Sequence, residues 1–126
     1  MLIILVCPIV LTKSWAEDCT KDDLSQTDMN LCTIDYVKKA ELELDAVYKK
    51  LMKKISPKGQ TKLLAAQNAW IAYREKQCEF NTLASLDGSV HPTVVSYCYA
   101  DLAHQQTKTL QQQLECEEGD LSCGRQ

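Results

Sequence analysis

The chain is poor in the parts that catalysis and nucleic-acid binding require. It has two histidines, His91 and His104, with no HExxH run, no CxxC pair and no glycine-rich phosphate loop. Zinc, cysteine-nucleophile and phosphate-cradling chemistries therefore lack their components. Basic charge is also in deficit, with 14 Lys and Arg against 17 Asp and Glu, a net charge of −3. An acidic chain is a poor partner for nucleic acid or for an anionic membrane surface. No internal repeat is present. These absences argue against an enzyme, and no cofactor or metal is expected.

Its longest apolar run, Met1 to Leu11 (MLIILVCPIVL), is too short to cross a bilayer. Ser14, Trp15 and Ala16 follow it with small residues where signal peptidase needs them, so residues 1–16 read as a signal peptide cleaved after Ala16. Lipidation at Cys7 is disfavoured because Val6 precedes it where a small residue is wanted. Cleavage removes Lys13 and no acid, leaving 13 basic residues against 17 acidic ones, a net charge of −4. It also removes one of seven cysteines. Six remain, Cys19, Cys32, Cys78, Cys98, Cys116 and Cys123, an even set suited to an oxidising compartment, so the chain is expected to be periplasmic or secreted.

Residues 17–126 have the length of a single domain with a real core. The most strongly patterned stretch is Leu63 to Cys78, LLAAQNAWIAYREKQC. Leu63, Leu64, Gln67, Trp70, Ile71, Arg74 and Cys78 recur at i, i+3, i+4 and i+7, one face of an α-helix, and this reads as the core helix. An earlier helix, roughly Asp28 to Ile55, carries Val37, Ala40, Leu44, Val47, Tyr48, Leu51 and Ile55 at the same spacing, with Ile34 and Leu31 extending it backward. Asp35, Glu41, Glu43 and Asp45 come before Lys49, Lys50, Lys53 and Lys54, as the helix dipole favours, and the lysine run is read as a solvated face. If SPKG (Ser56 to Gly59) turns the chain into a helical hairpin, facing positions sum to about 115. That sets Arg74 opposite Glu41 and Gln67 opposite Tyr48, the second expected as a buried hydrogen-bonded pair. The Arg74 guanidinium cannot shed its charge, so a carboxylate partner is required if the stripe is buried.

The longest loop runs from Asn81 to Pro92, with Asp87-Gly88 as a turn signal and Pro92 suited to open a helix. The third helix is expected over about Thr93 to Glu115, with Val95, Cys98, Leu102, Gln106, Leu110 and Leu114 on one face. The fold expected is all-α, a three-helix up-down-up antiparallel bundle stapled by disulfides. This order gathers Cys19, Cys32, Cys78 and Cys98 at one end and leaves Cys116 and Cys123 at the other, where they close a short local loop. Spacing permits three pairings of the first four. Cys78–Cys98, clipping the hairpin, and Cys19–Cys32, holding the N-terminal segment, is the pairing favoured.

Cys32, Tyr36, Ala40-Glu41, Leu44-Asp45, Tyr48 and Leu51, then Leu64, Ala66-Gln67, Ala69-Trp70-Ile71, Tyr73-Arg74 and Cys78, then Cys98, Leu102 and Leu110, together resemble the LprI-type lysozyme-inhibitor family. The likeness spans about Cys19 to Leu114, and the AQxAWIxYR core is its most specific part. It departs from the family's usual residues at Glu41 and Asp45, where Asp and Asn are usual, and at Gln106, where Arg is common. The resemblance implies a small secreted helical domain that inhibits lysozyme or another basic peptidoglycan hydrolase. The alternative is a periplasmic envelope module, structural or interactive, without inhibitory activity.

The four-cysteine end also collects Asp18, Asp22, Asp23, Asp28, Glu79, Asp87 and Asp101, so it should be electronegative and suited to steer a basic enzyme. Asp87, Ser89 and His91 are the residues expected to enter a target's cleft, with Asp22, Asp23 and Asp101 setting the rate of encounter. The same acids near helix N-termini also serve simply as caps and dipole partners. Glu41 and Arg74 are expected to be a structural ion pair, and Trp70 a core residue.

Overall fold

Ser25 opens the first helix through a reciprocal cap. Its hydroxyl accepts the Asp28 backbone N–H at 3.1 Å and donates to Asp28 Oδ2 at 2.6 Å. The computed structural model describes Cys19 and residues 21–124, and the expected signal segment lies outside them. Three α-helices follow: α1 Gln26–Met52, α2 Pro57–Asn81 and α3 His91–Leu114, with a single 3-10 turn, Leu83–Ser85, between the last two. No strand occurs among the described residues, and the architecture is an all-α up-down-up bundle.

The first hairpin turns earlier than the SPKG motif suggests. Ser56 caps α2 by accepting the Gly59 N–H at 3.1 Å, and Pro57 occupies the first helical position, where its missing N–H costs nothing. SPKG is thus the opening turn of α2, and the connection consists of residues 53–56.

The packing corrects a second expectation. Leu63 to Cys78 is helical throughout, but it is not the helix around which the molecule is built. The fully buried core is Ala40, Leu44 and Leu51 of α1 with Ala100, Ala103 and Leu110 of α3. From α2 only Leu63 and Trp70 pack against it, partly buried, while Leu64, Ile71 and Tyr73 are exposed. The tight pair is the parallel one, α1 on α3. Thr93 Oγ1 donates to Asn30 Oδ1 at 2.6 Å, which fixes a register in which positions 63 apart lie level. Thr33, Ala40, Leu44 and Leu51 on one helix and Thr93, Ala100, Ala103, Thr107 and Leu110 on the other then form a heptad-spaced seam. Ala40 stands level with Ala103. Two methyl side chains at that height let the backbones approach closely, whereas Trp70, Gln67 and Arg74 hold α2 further off.

Leu31 and Ile34, read from sequence as extending the α1 stripe, are exposed, and Thr33 is buried in their place.

Three disulfides staple the bundle: Cys19–Cys32, Cys78–Cys98 and Cys116–Cys123. The first ties the N-terminal segment to α1, and the second clips the end of α2 to the start of α3. The third folds the tail back on α3, where the Gly124 N–H donates to Gln113 Oε1 at 2.7 Å. Gly119 takes a φ of +87° in that tail, a conformation glycine adopts without steric cost.

Candidate functional site

The end of α2 dictates the shape of the tip that follows it. Thr82 is buried and its hydroxyl donates to the Cys78 carbonyl at 2.7 Å, closing the helix where Cys78 is bonded to Cys98. Backbone turns then succeed one another: Ser85 N–H to Thr82 O, Leu86 N–H to Leu83 O, Gly88 N–H to Ser85 O and His91 N–H to Gly88 O, all between 2.9 and 3.2 Å. The connection is therefore a hydrogen-bonded knot, and its shape is set by its own backbone as much as by the disulfide beneath it.

His91 is part of this knot. Its Nδ1 lies 3.0 Å from Ser85 Oγ, and the Ser85 hydroxyl lies 3.0 Å from the Thr82 carbonyl. One hydroxyl proton serves one of these contacts. When it goes to Thr82, the imidazole donates through Nδ1. The ring is half-buried, so His91 braces the tip from within. Asp87 and Ser89, by contrast, are exposed at its crest.

Asp22 and Asp23 are exposed in the turn that precedes α1. They share this end of the bundle, because Gln26 Nε2 donates to Thr93 Oγ1 at 3.2 Å and so holds the first turn of α1 against the first turn of α3. Asp101 is exposed further along α3, beside a shallow recess of about 330 Å³ shared with Asn81, Thr82 and Tyr97. The fold thus brings Asp22, Asp23, Asp87 and Ser89 to one end, turns His91 inward, and leaves Asp101 on the flank.

What the sequence reading missed is apolar. Phe80, Leu83, Leu86 and Val90 are 70, 59, 58 and 40% exposed along the same connection. Isolated apolar side chains on a surface are ordinary, but four within eleven consecutive residues, on a segment this constrained, form a patch. A signal was available: Leu83 and Leu86 lie outside every helical stripe, so no core position accounts for them.

The second polar cluster is Arg74 with Glu41, Trp70 and Tyr99. Arg74 Nη1 donates to Glu41 Oε1 at 2.9 Å, and the guanidinium carbon stands 5.0 Å from the Trp70 ring centre and 4.8 Å from that of Tyr99. Arg74 Nε is buried without a hydrogen-bond partner. Gln67 and Tyr48 line the same recess, but Gln67 takes its hydrogen bond elsewhere. Its Oε1 accepts from Gln106 Nε2 of α3 at 3.2 Å, because α2 leans on α3 more than on α1. This cluster joins three helices, and its one ion pair is already formed.

Neither cluster has the makings of a metal centre. Among the described residues no three His, Cys, Asp or Glu side chains are grouped to hold an ion, and all six cysteines are oxidised. No described helix is long and apolar enough to cross a membrane.

Comparison with known proteins decides the lineage. Residues 16–110 match the family model described as Lysozyme inhibitor LprI. The chain belongs to the LprI family. That family is one of inhibitors and not of enzymes, and its name points to lysozyme as the partner. An uncharacterized protein of Rhizobium meliloti (strain 1021) is 31% identical over 114 residues, covering 80% of this chain and 81% of that protein. No solved structure matches the chain. Within this LprI protein the family match takes in α1, α2, the tip and most of α3, and stops short of the Cys116–Cys123 tail.

Proposed function

We propose that this LprI protein inhibits a basic peptidoglycan hydrolase of the lysozyme type in the periplasm or outside the cell, and that the connection between α2 and α3 is the part that engages the enzyme. The observation that carries this reading is the exposed apolar patch of Phe80, Leu83, Leu86 and Val90 on a disulfide-clipped, internally hydrogen-bonded tip flanked by acids. Rigid apolar anchors lose little entropy on docking, and so contribute most of the affinity of a protein interface. Asp22, Asp23, Asp87 and, from the flank, Asp101 supply the field that draws in a basic partner, and Ser89 lies at the crest to hydrogen-bond with it. His91 acts indirectly, by holding the tip through Ser85. The three disulfides suit an oxidising location.

The experiment is lysis of a cell-wall suspension by a panel of lysozymes, followed by turbidity, with and without the mature protein. Protection of the suspension from at least one enzyme, abolished by Leu83→Asp with Leu86→Asp in a protein that keeps its helical circular dichroism, is the expected result. Equal lysis with every enzyme in the panel, or inhibition untouched by the double substitution, rejects the proposal.

A further inference from the structure

The end of the bundle opposite the tip holds a cleft of about 570 Å³, within the size range of small-molecule sites. Its origin is the unequal packing of the helices. Alanines let α1 and α3 close on each other, while Gln67, Trp70 and Arg74 prop α2 away, so from the first turns of α2 Leu63 packs on the core only partly buried. The walls are largely aliphatic: Leu51 near the end of α1, Ile55 in the connection that follows, Leu63 and Ala66 on α2, Leu110 on α3. Among the described residues no acid lines the cleft, and the charged lining residues are Lys58 and Lys62.

Those two lysines belong to a wider asymmetry. From residue 46 to residue 74 the chain has no Asp or Glu and carries Lys49, Lys50, Lys53, Lys54, Lys58 and Lys62. An acidic protein thus has an acid-free, lysine-bearing stretch of chain, and two of its lysines, Lys58 and Lys62, stand at an apolar opening. The lysine run alone reads as a solvated helix end; with an aliphatic cleft beside it, the cations acquire a ligand class.

We propose that this cleft binds a single-chain carboxylate amphiphile, a free long-chain fatty acid. The acyl chain lies along Leu51, Ile55, Leu63 and Leu110, and the carboxylate meets the ammonium groups of Lys58 and Lys62. A neutral or cationic head is disfavoured by the same charges. The cleft is recessed between helices and does not project, so it takes one chain from solution and does not wedge into a bilayer. The site is separate from the tip, and the two proposals stand or fall independently.

The test is titration of the mature, oxidised protein with cis-parinaric acid, followed by the fluorescence of the bound fatty acid, with palmitate, hexadecanol and hexadecyltrimethylammonium as competitors, all below their critical micelle concentrations. The expected result is one saturable site per chain, displaced by palmitate and at least tenfold less well by the neutral and cationic chains. Within the length the cleft accepts, affinity should rise about three- to fourfold for each added methylene. Lys58→Glu with Lys62→Glu should weaken binding at least tenfold, and Ala66→Phe, which fills the cleft from a solvent-facing wall, should abolish it with the helical spectrum unchanged. Displacement by hexadecyltrimethylammonium as good as by palmitate, binding indifferent to both variants, or association with anionic phosphatidylglycerol vesicles that Ala66→Phe leaves intact, overturns the proposal.

Discussion

Arg74 and Glu41, 33 residues apart in sequence, meet through Nη1 and Oε1 at 2.9 Å, and the same guanidinium lies within 5.0 Å of the Trp70 and Tyr99 ring centres. One side chain thereby ties α2 to both other helices. Its two attractions differ in kind. The carboxylate is half-exposed, so water screens the ion pair, whereas the rings enclose a guanidinium side chain that is 14% exposed. Stacking on the rings should therefore outweigh the pair. Glu41→Gln keeps a hydrogen-bond acceptor and should cost less than about 1 kcal/mol. Arg74→Lys keeps the charge but loses the planar group, and should cost about 1–2 kcal/mol. Urea unfolding of the two variants measures the order, and a larger loss in Glu41→Gln would reverse it.

The α1–α3 seam is close because its central side chains are small. Ala103→Leu puts three extra carbons where Ala40 stands level, at a position with no exposed surface, and should destabilise by about 1–3 kcal/mol through overpacking. Ala72→Leu on the exposed face of α2 should change stability by no more than about 0.5 kcal/mol. Thermal melts of the pair, compared with the wild type, distinguish a seam centred on α1 and α3 from a core built around α2.

That contrast also marks how far the chain could be read without coordinates. Three helices, their order and the Arg74–Glu41 contact follow from periodicity and one hairpin turn, because large apolar and charged residues at helical spacing are conspicuous. The true seam is inconspicuous. Thr93, Ala100, Thr107 and Ala103, Leu110 fall on a strict heptad, yet alanine and threonine carry little hydrophobic weight, so the eye passes to Trp70 and Leu64. Tertiary closeness of α1 and α3 depends on what is missing from their side chains. The tip suffered from the opposite bias: charge drew notice to Asp87 and His91, while Leu83 and Leu86 in a short 3-10 turn belong to no periodic pattern. The hydrogen bond between Ser85 and His91 depends on how the loop closes, which residue spacing does not specify.

The disulfides should differ in what they hold. Cys78–Cys98 spans 20 residues and underlies the tip, so replacing both cysteines by Ser should cost about 3 kcal/mol and weaken inhibition as the tip loses its anchor. Cys116–Cys123 spans 7 residues in the tail, beyond the family match, and its removal should spare inhibition. Denaturant midpoints and lysis assays on the two double-serine variants give both readouts. Equal loss of inhibition in the two would show that the clip does nothing particular for the tip.

Asp120 gives the tail a pH dependence of known sign. The hydroxyl and the backbone N–H of Ser122 both donate to its carboxylate, and these bonds lower its pKa from the ordinary 3.8. A carboxyl whose folded pKa is depressed contributes order that is complete above the unfolded value and is lost as pH falls through the lower folded one. The Ser122 amide resonance should therefore keep its shift at pH 5 and move only in strong acid, below 3.8, whereas in Asp120→Asn it should not titrate there. A Ser122 amide that titrates above 3.8 contradicts the assignment.

The tip separates two contributions that act on different rates. Leu83 and Leu86 are 59 and 58% exposed and would be desolvated in a complex, so their truncation removes contact made only after docking. Leu83→Ala with Leu86→Ala should raise the dissociation rate at least tenfold and leave the association rate nearly unchanged. Asp22→Asn, Asp23→Asn and Asp87→Asn together should lower the association rate and flatten its dependence on salt, with little change in dissociation, because exposed charges act at a distance and are screened by ions. Gly88→Ala supplies the control for loop shape. Gly88 has a φ that other residues adopt, and an added Cβ would lie 3.4 Å from the Ser85 carbonyl oxygen, an ordinary contact, so the substitution should leave both rates intact. Surface plasmon resonance at two ionic strengths resolves all three variants. If the aspartate triple changed dissociation more than the leucine pair, the acids would be the anchors and the apolar patch incidental.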